Sequence, residues 1–226
     1  MMRDSYEGTE FDMSKGLAAG PFNNPLRYDG NKDQGARIFG GFERSINTYR
    51  TAYTFVAQSR PNLPDDVGGI FWYGQDAPHG TVYVPVYGAM SELPEAYGRG
   101  YMAKYDPDSA WWTFNFLNQW VQLRYNLIHA EMATEQSRLE NLSMSQQQLI
   151  EAQALALGDK EARVAKLEEW ANSNANSILD SWKSLTNYLI GKYTNGWVIS
   201  FEGASKDGAV VAPGYSDEWL GGPTIT

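Results

Sequence analysis

A chain of 226 residues with a formal net charge of −9, no cysteine and two histidines excludes several classes at once. Its acidity argues against nucleic acid as a partner, and no apolar run approaches the roughly 18–20 residues of a membrane span. Without thiols or a histidine cluster, the chain offers no disulfide, metal site or cysteine nucleophile of its own, and no cofactor is expected.

The opening stretch, Met1–Pro25, carries Gly8, Gly16, Gly20-Pro21 and Pro25, which force an irregular path. Met1–Tyr6 reads as an uncapped helix end. Arg3, Asp4, Tyr6 and Glu7 follow one another on this backbone, and irregular backbone bearing charged and aromatic groups is how a substrate-lining loop is often written. The competing reading is a surface loop in which Arg3 pairs with Asp4 or Glu7. Loop and short extended pieces continue beyond it, broken at Gly40-Gly41, so that 1–48 forms a loop-rich opening segment.

Residues 49–88 read as an antiparallel meander of strands Tyr49–Ser59, Gly69–Gly74 and Thr81–Tyr87. The first alternates Tyr49, Thr51, Tyr53, Phe55 and Ala57 with Arg50, Ala52, Thr54, Val56 and Gln58, the period of a half-buried pleated strand. The other two are apolar on both faces and are expected to be covered on both sides. Asn62-Leu-Pro-Asp-Asp and Gln75-Asp-Ala-Pro-His-Gly supply the turns.

A Gly-, Pro- and Tyr-rich connection, Gly88–Tyr105, leads into the helical part, 106–191. The first helix is expected to begin with Asp106 as N-cap and Pro107 as first residue. Ala110, Phe114, Leu117, Val121, Tyr125, Ile128 and Met132 carry its apolar stripe to about Ser137. Ser143-Met-Ser-Gln opens a second helix as a capping box, ending at Gly158. A third starts near Asp159, with a stripe of Val164, Leu167, Ala171, Ala175, Ile178, Trp182, Leu185 and Leu189, and closes at Gly191. Residues 192–226 hold a last strand, Trp197–Phe201, and a Gly- and Pro-rich acidic tail.

Few residues invite chemistry. His79 sits in a turn and His129 lies off the first helix's stripe, so both read as structural. Glu161, Lys166, Glu168 and Glu169 form a solvated charged run, and Asp65-Asp66 is turn chemistry. There is no phosphate loop, Gly-x-Ser-x-Gly elbow or His-Glu-x-x-His. Trp72, Trp111 and Trp112 are the residues that a carbohydrate-binding reading would use.

The segment Met2-Arg-Asp-Ser-Tyr-Glu-Gly-Thr-Glu-Phe-Asp-Met-Ser-Lys-Gly-Leu-Ala-Ala-Gly-Pro-Phe-Asn-Asn-Pro resembles the dipeptidase A family, cysteine dipeptidases of the N-terminal nucleophile hydrolase superfamily related to the secernins. Phe55-Val-Ala-Gln-Ser-Arg-Pro-Asn-Leu-Pro-Asp, Gly68-Gly-Ile-Phe-Trp-Tyr-Gly and Ser109-Ala-Trp-Trp-Thr-Phe-Asn continue the resemblance in the family's order. It implies an α+β fold, the C-terminal part of an αββα sandwich, with 1–226 as one portion of a peptidase domain. It also implies dipeptide hydrolysis by an N-terminal cysteine whose α-amino group is the base, with an asparagine and backbone donors for the oxyanion. Those groups lie upstream in the family, so this chain alone is expected to be inactive and to contribute no catalytic residue. The implied partners are a dipeptide and the missing N-terminal portion, with a homo-oligomer compatible. Arg3, Asp4, Tyr6 and Glu7 are the implied substrate contacts. A non-catalytic binding or structural protein that keeps the fold is the alternative. Cytoplasm, periplasm, secretion and lysosome all fit a soluble chain without cysteine.

Overall fold

The computed structural model describes residues 1–27, 43–200 and 209–221. Strand β1 (Tyr53–Ser59), the one-turn helix α1 (Asp65–Gly68), β2 (Gly69–Gln75) and β3 (Val84–Tyr87) build an antiparallel meander in the order β1-β2-β3. Tyr53 faces Gln75 and Ser59 faces Gly69 across the first ladder; Ile70 faces Tyr87 and Tyr73 faces Val84 across the second. The Leu63-Pro64 turn delivers α1, and a single 3-10 turn at Pro78–Gly80 links β2 to β3.

Two strands begin later than their composition suggests, at Tyr53 rather than Tyr49 and at Val84 rather than Thr81. The expected half-burial of β1 is also not met, because Thr54 is its only buried residue. β1 is an edge strand, and among the described residues nothing covers its flanks. β2 is covered unevenly: Ile70, Gly74 and Gln75 are buried and Trp72 and Tyr73 half-buried, while Phe71 is 45% exposed. β3 is buried except for a half-buried Val86.

Helices α2 (Ala110–Val121), α3 (Tyr125–Leu155) and α4 (Lys160–Lys192) supply the bulk of the core. Ala110, Phe114, Leu117, Val121, Tyr125, Ile128 and Met132 are all buried, so the stripe is real. It runs over two helices, because Gln122–Arg124 forms a 3-10 turn and Arg124 leaves helical geometry at φ −152°, ψ 66°. Asp106 does not cap α2. Its carboxylate accepts from Asp108 N (3.0 Å) and Arg99 Nε (2.8 Å), and the helix starts after Ser109.

Nor does a helix begin at Ser143. That residue is fully buried inside α3, where its hydroxyl bonds Leu139 O at 3.0 Å and Asn174 Oδ1 at 3.1 Å. A serine that could cap a free helix end is here occupied by the preceding turn and by a neighbouring helix. The start of α4 follows its local signal: Asp159 accepts from Ala162 N at 2.8 Å. Leu167, Ala171, Ala175, Ile178, Trp182 and Leu189 of its stripe are buried, and Trp182 packs on Phe114 with ring centroids 5.5 Å apart.

Two apolar clusters result. One joins Val82 and Val84 to α2, α3 and α4; the other joins Val67, Ile70 and Tyr87 to Ala154, Leu167 and Ala171. The strand expected to be last appears as β4 (Val198–Ser200), but a further strand, β5 (Ala209–Val211), follows and pairs with it, and the tail adds the short helix α5 (Asp217–Leu220). Phe201 and Gly40-Gly41 lie outside the described residues. Met1–Tyr6 is not a helix end but a turn, closed by Asp4 N to Met1 O at 3.1 Å. The class is α+β: a small antiparallel sheet with long helices.

Candidate functional site

The opening loop lies over the Gln75–Thr81 connection, and Arg3 fastens it there. Arg3 Nε donates to Pro78 O (2.9 Å) and Nη2 to Thr81 O (3.0 Å). Its two terminal nitrogens form a bidentate pair with Glu140 of α3, at 3.0 and 2.5 Å. The guanidinium also lies 5.0 Å from the centre of the Tyr83 ring. Four of its five N–H groups are thereby engaged with the scaffold. Arg3 pairs with neither Asp4 nor Glu7, and Glu140 also accepts from Tyr83 N at 3.0 Å.

The next residues form a tight acidic turn. Asp4 Oδ1 accepts from Tyr6 N at 2.8 Å, and Glu7 Oε2 accepts from Ser5 N at 3.0 Å. Between them Tyr6 takes φ 64°, a left-handed conformation that a bulky side chain rarely adopts. Its hydroxyl reaches Arg44 O at 3.3 Å. Asp4 Oδ2 and Glu7 Oε1 have no hydrogen-bond donor among the described residues. The turn thus keeps acceptor capacity on a half-buried Asp4 and an exposed Glu7.

Backbone bonds tie this turn to a buried polar cluster. Asn47 N donates to Asp4 O (3.1 Å), and Asn47 Oδ1 accepts from His79 N (3.1 Å). His79 is 1% exposed, and neither ring nitrogen has a partner among the described residues. Burial, with His129 nearby, lowers its pKa to about 3; burial and then Arg3 lower that of His129 to about 4. Both imidazoles are neutral at pH 7. His129 stacks on Tyr125 at 4.4 Å, and burial followed by the charge of Glu7 pushes the Tyr125 hydroxyl up.

Asp76 completes the cluster and was not foreseen. It is 2% exposed, takes φ 67°, and is clamped by Asn115 Nδ2 (3.0 Å) and Asn118 Nδ2 (2.5 Å) of α2. Burial raises its pKa to about 6 against the two amides, which lower it. A strained, buried carboxyl that titrates near neutrality is the kind of group found at functional sites. In the sequence it passed for a turn residue. The available signal was Asn115 and Asn118, two amides three residues apart beside the stripe positions Phe114 and Leu117.

The three tryptophans do not form a stacking platform. Trp72 packs against the second apolar cluster, while Trp111 and Trp112 meet edge to face at 4.8 Å and Trp112 donates to Tyr101 O. Among the described residues, no group of three or more His, Asp or Glu could hold a metal ion. No described helix is long and apolar enough to cross a membrane.

Comparison with known proteins places this sequence in a family. The sequence pattern of Peptidase family C69 matches residues 1–138, which hold the opening loop, the meander, α2 and the first part of α3. The chain belongs to that family. It is also similar to a probable dipeptidase B from Streptococcus pyogenes serotype M1, with 21% identity over 178 residues, 78% of this chain and 36% of that protein. The chain thus spans about a third of the length of the curated relative it matches.

Proposed function

We propose that this chain is the substrate-holding portion of a dipeptidase of the N-terminal nucleophile type, acting with a cysteine that lies outside these 226 residues. The sheet would then be part of an αββα sandwich, and the remaining portion of the enzyme its principal partner. The observation that carries the reading is the Asp4–Glu7 turn, which lies within the family match. Two carboxylates, each oriented by a backbone N–H, leave acceptors for a cation. The free ammonium of a dipeptide is such a cation, and charge-assisted hydrogen bonds to it contribute about 1.5–3 kcal/mol each. In this reading Arg3 sets the height of the turn over α3 through Glu140. Its one remaining N–H is the contact it can offer a substrate carboxylate. Tyr6, held in its strained conformation, lines the same edge.

The test is made on the complete enzyme, whose second, Cys-initiated portion intact mass and N-terminal sequencing would identify. Glu7→Gln should lower kcat/KM for free dipeptides about ten- to a hundredfold at unchanged folding stability. N-acetylated substrates, which lack the ammonium, should hardly respond. Equal losses on both substrate types would assign Glu7 to the scaffold. A native species without a cysteine chain and without peptidase activity would favour a non-catalytic protein that keeps the fold.

A further inference from the structure

We infer that the outer edge and aromatic face of β1 receive an extended strand from the part of the dipeptidase that lies outside this chain. The inference rests on the proposed function and identifies the surface through which the two portions join.

The register fixes which backbone groups are free. Asp76 N donates to Ala52 O and Arg60 N to Gly68 O, so the even-numbered residues of β1 bond β2. The N–H and C=O groups of Tyr53, Phe55, Ala57 and Ser59 therefore point away from the sheet, which ends at β1 among the described residues. The side chains of these residues share a face with Phe71 and Tyr73, their partners across the ladder. Phe55 and Phe71 lie 5.2 Å apart, Tyr53 and Tyr73 6.0 Å. Tyr53, Phe55 and Phe71 are 56%, 44% and 45% exposed, and Val56 on the opposite face is 49% exposed.

Edge strands that end a sheet in solution are guarded by charge, proline or a bulge. Tyr-Thr-Phe-Val-Ala-Gln-Ser has no charge and no proline, and its register with β2 runs unbroken from Tyr53 to Ser59. Such an edge is built to be covered. The family offers the occupant, because the matched dipeptidase is aligned over only 36% of its length. The incoming segment would be extended, uncharged on the face toward Phe55 and Phe71, and bulky where it lies opposite Ala57 and Ser59. Main-chain bonds would supply its hold and the aromatic ladder its register.

Hydrogen exchange tests this on the native species, recovered through a tag at Thr226, against the 226-residue chain alone. Intact mass first reports whether further polypeptide accompanies the chain. With it present, the amides of Phe55, Ala57 and Ser59 should exchange about a hundredfold more slowly than in the chain alone. Ala57→Pro removes one outward N–H and leaves the bonds of Val56 and Gln58 to β2 in place. It should restore fast exchange at Phe55 and Ser59 in the native species. Fast exchange there despite accompanying polypeptide overturns the inference and leaves the dipeptidase reading standing. Protection already present in the chain alone also overturns it, through a second copy if the species is a dimer and through the chain itself if it is a monomer. A native species of 226 residues only would overturn both readings.

Discussion

Two buried polar clusters sit at opposite ends of the same meander, and they are built on opposite terms. At the β1–α1 end, Arg60 places Nη1 and Nη2 at 2.6 and 2.7 Å from Glu151 of α3, and donates from Nη2 to Val67 O and from Nε to Gly68 O. Glu151 also accepts from Tyr87 and Gln147, each at 2.9 Å. Both charges there face an opposite charge, and four of the five Arg60 N–H groups are hydrogen-bonded. At the β2–β3 end, Asp76 has amides but no cation, and His79 has neither a charge partner nor a ring hydrogen bond among the described residues. The closed cluster is scaffold, joining the turn to α3. The open one lies beneath the acidic turn of the candidate site, where uncompensated burial is retained at the expense of stability.

The largest expected effect breaks the closed cluster. Glu151→Ala should cost about 3–5 kcal/mol, since it leaves the Arg60 guanidinium buried without its counter-charge. Chemical denaturation would read this as a drop in midpoint at unchanged slope. A loss below about 1 kcal/mol would place the pair in solvent and erase the contrast between the clusters.

Proton linkage sharpens the comparison, because the two carboxyls respond in opposite directions. For Glu151 burial raises the pKa, but the bonds from Arg60, Gln147 and Tyr87 outweigh it and hold the pKa below 4.5. Its stabilisation is present above that value and is lost as pH falls through it. Asp76 is raised from 3.8 to about 6, so its stabilisation is present below 3.8 and is lost as pH rises through about 6. The swing is about 3 kcal/mol at most. Asp76→Asn tolerates the left-handed backbone and should flatten the decline in stability between pH 4 and pH 7. An unchanged slope would mean that Asp76 is ionised throughout, as a paired carboxylate is.

The smallest effect has an unusual sign. His79→Leu removes ring nitrogens that make no hydrogen bond among the described residues, so at pH 8 it should change stability by less than about 1 kcal/mol. At pH 5 the substituted protein should be the more stable by about 2 kcal/mol, because unfolded His79 gains a proton that the folded state, with a pKa near 3, refuses. A loss of 2 kcal/mol or more at both pH values would show that His79 has a partner and that the second cluster is closed too.

The sequence by itself determined whatever depends on neighbours within a turn or two. The stripes of α2 to α4, the start of α4 near Asp159 and the antiparallel meander are local regularities, since a 3.6-residue or two-residue period needs only one buried face to declare itself. The opening loop was legible for the same reason: glycines interrupt it, and charged residues crowd between them. Partnership over distance was not legible. Arg3 finds Glu140 across 137 positions, and Asp76 is held by amides 39 and 42 residues away. Ser143 carried a capping signature that a neighbouring helix overrode. Tyr53–Ser59 had the alternation of a half-buried strand and lies exposed. A sequence pattern states which face of a strand wants cover; only the tertiary structure decides whether anything lies over it, because cover comes from elements far away along the chain.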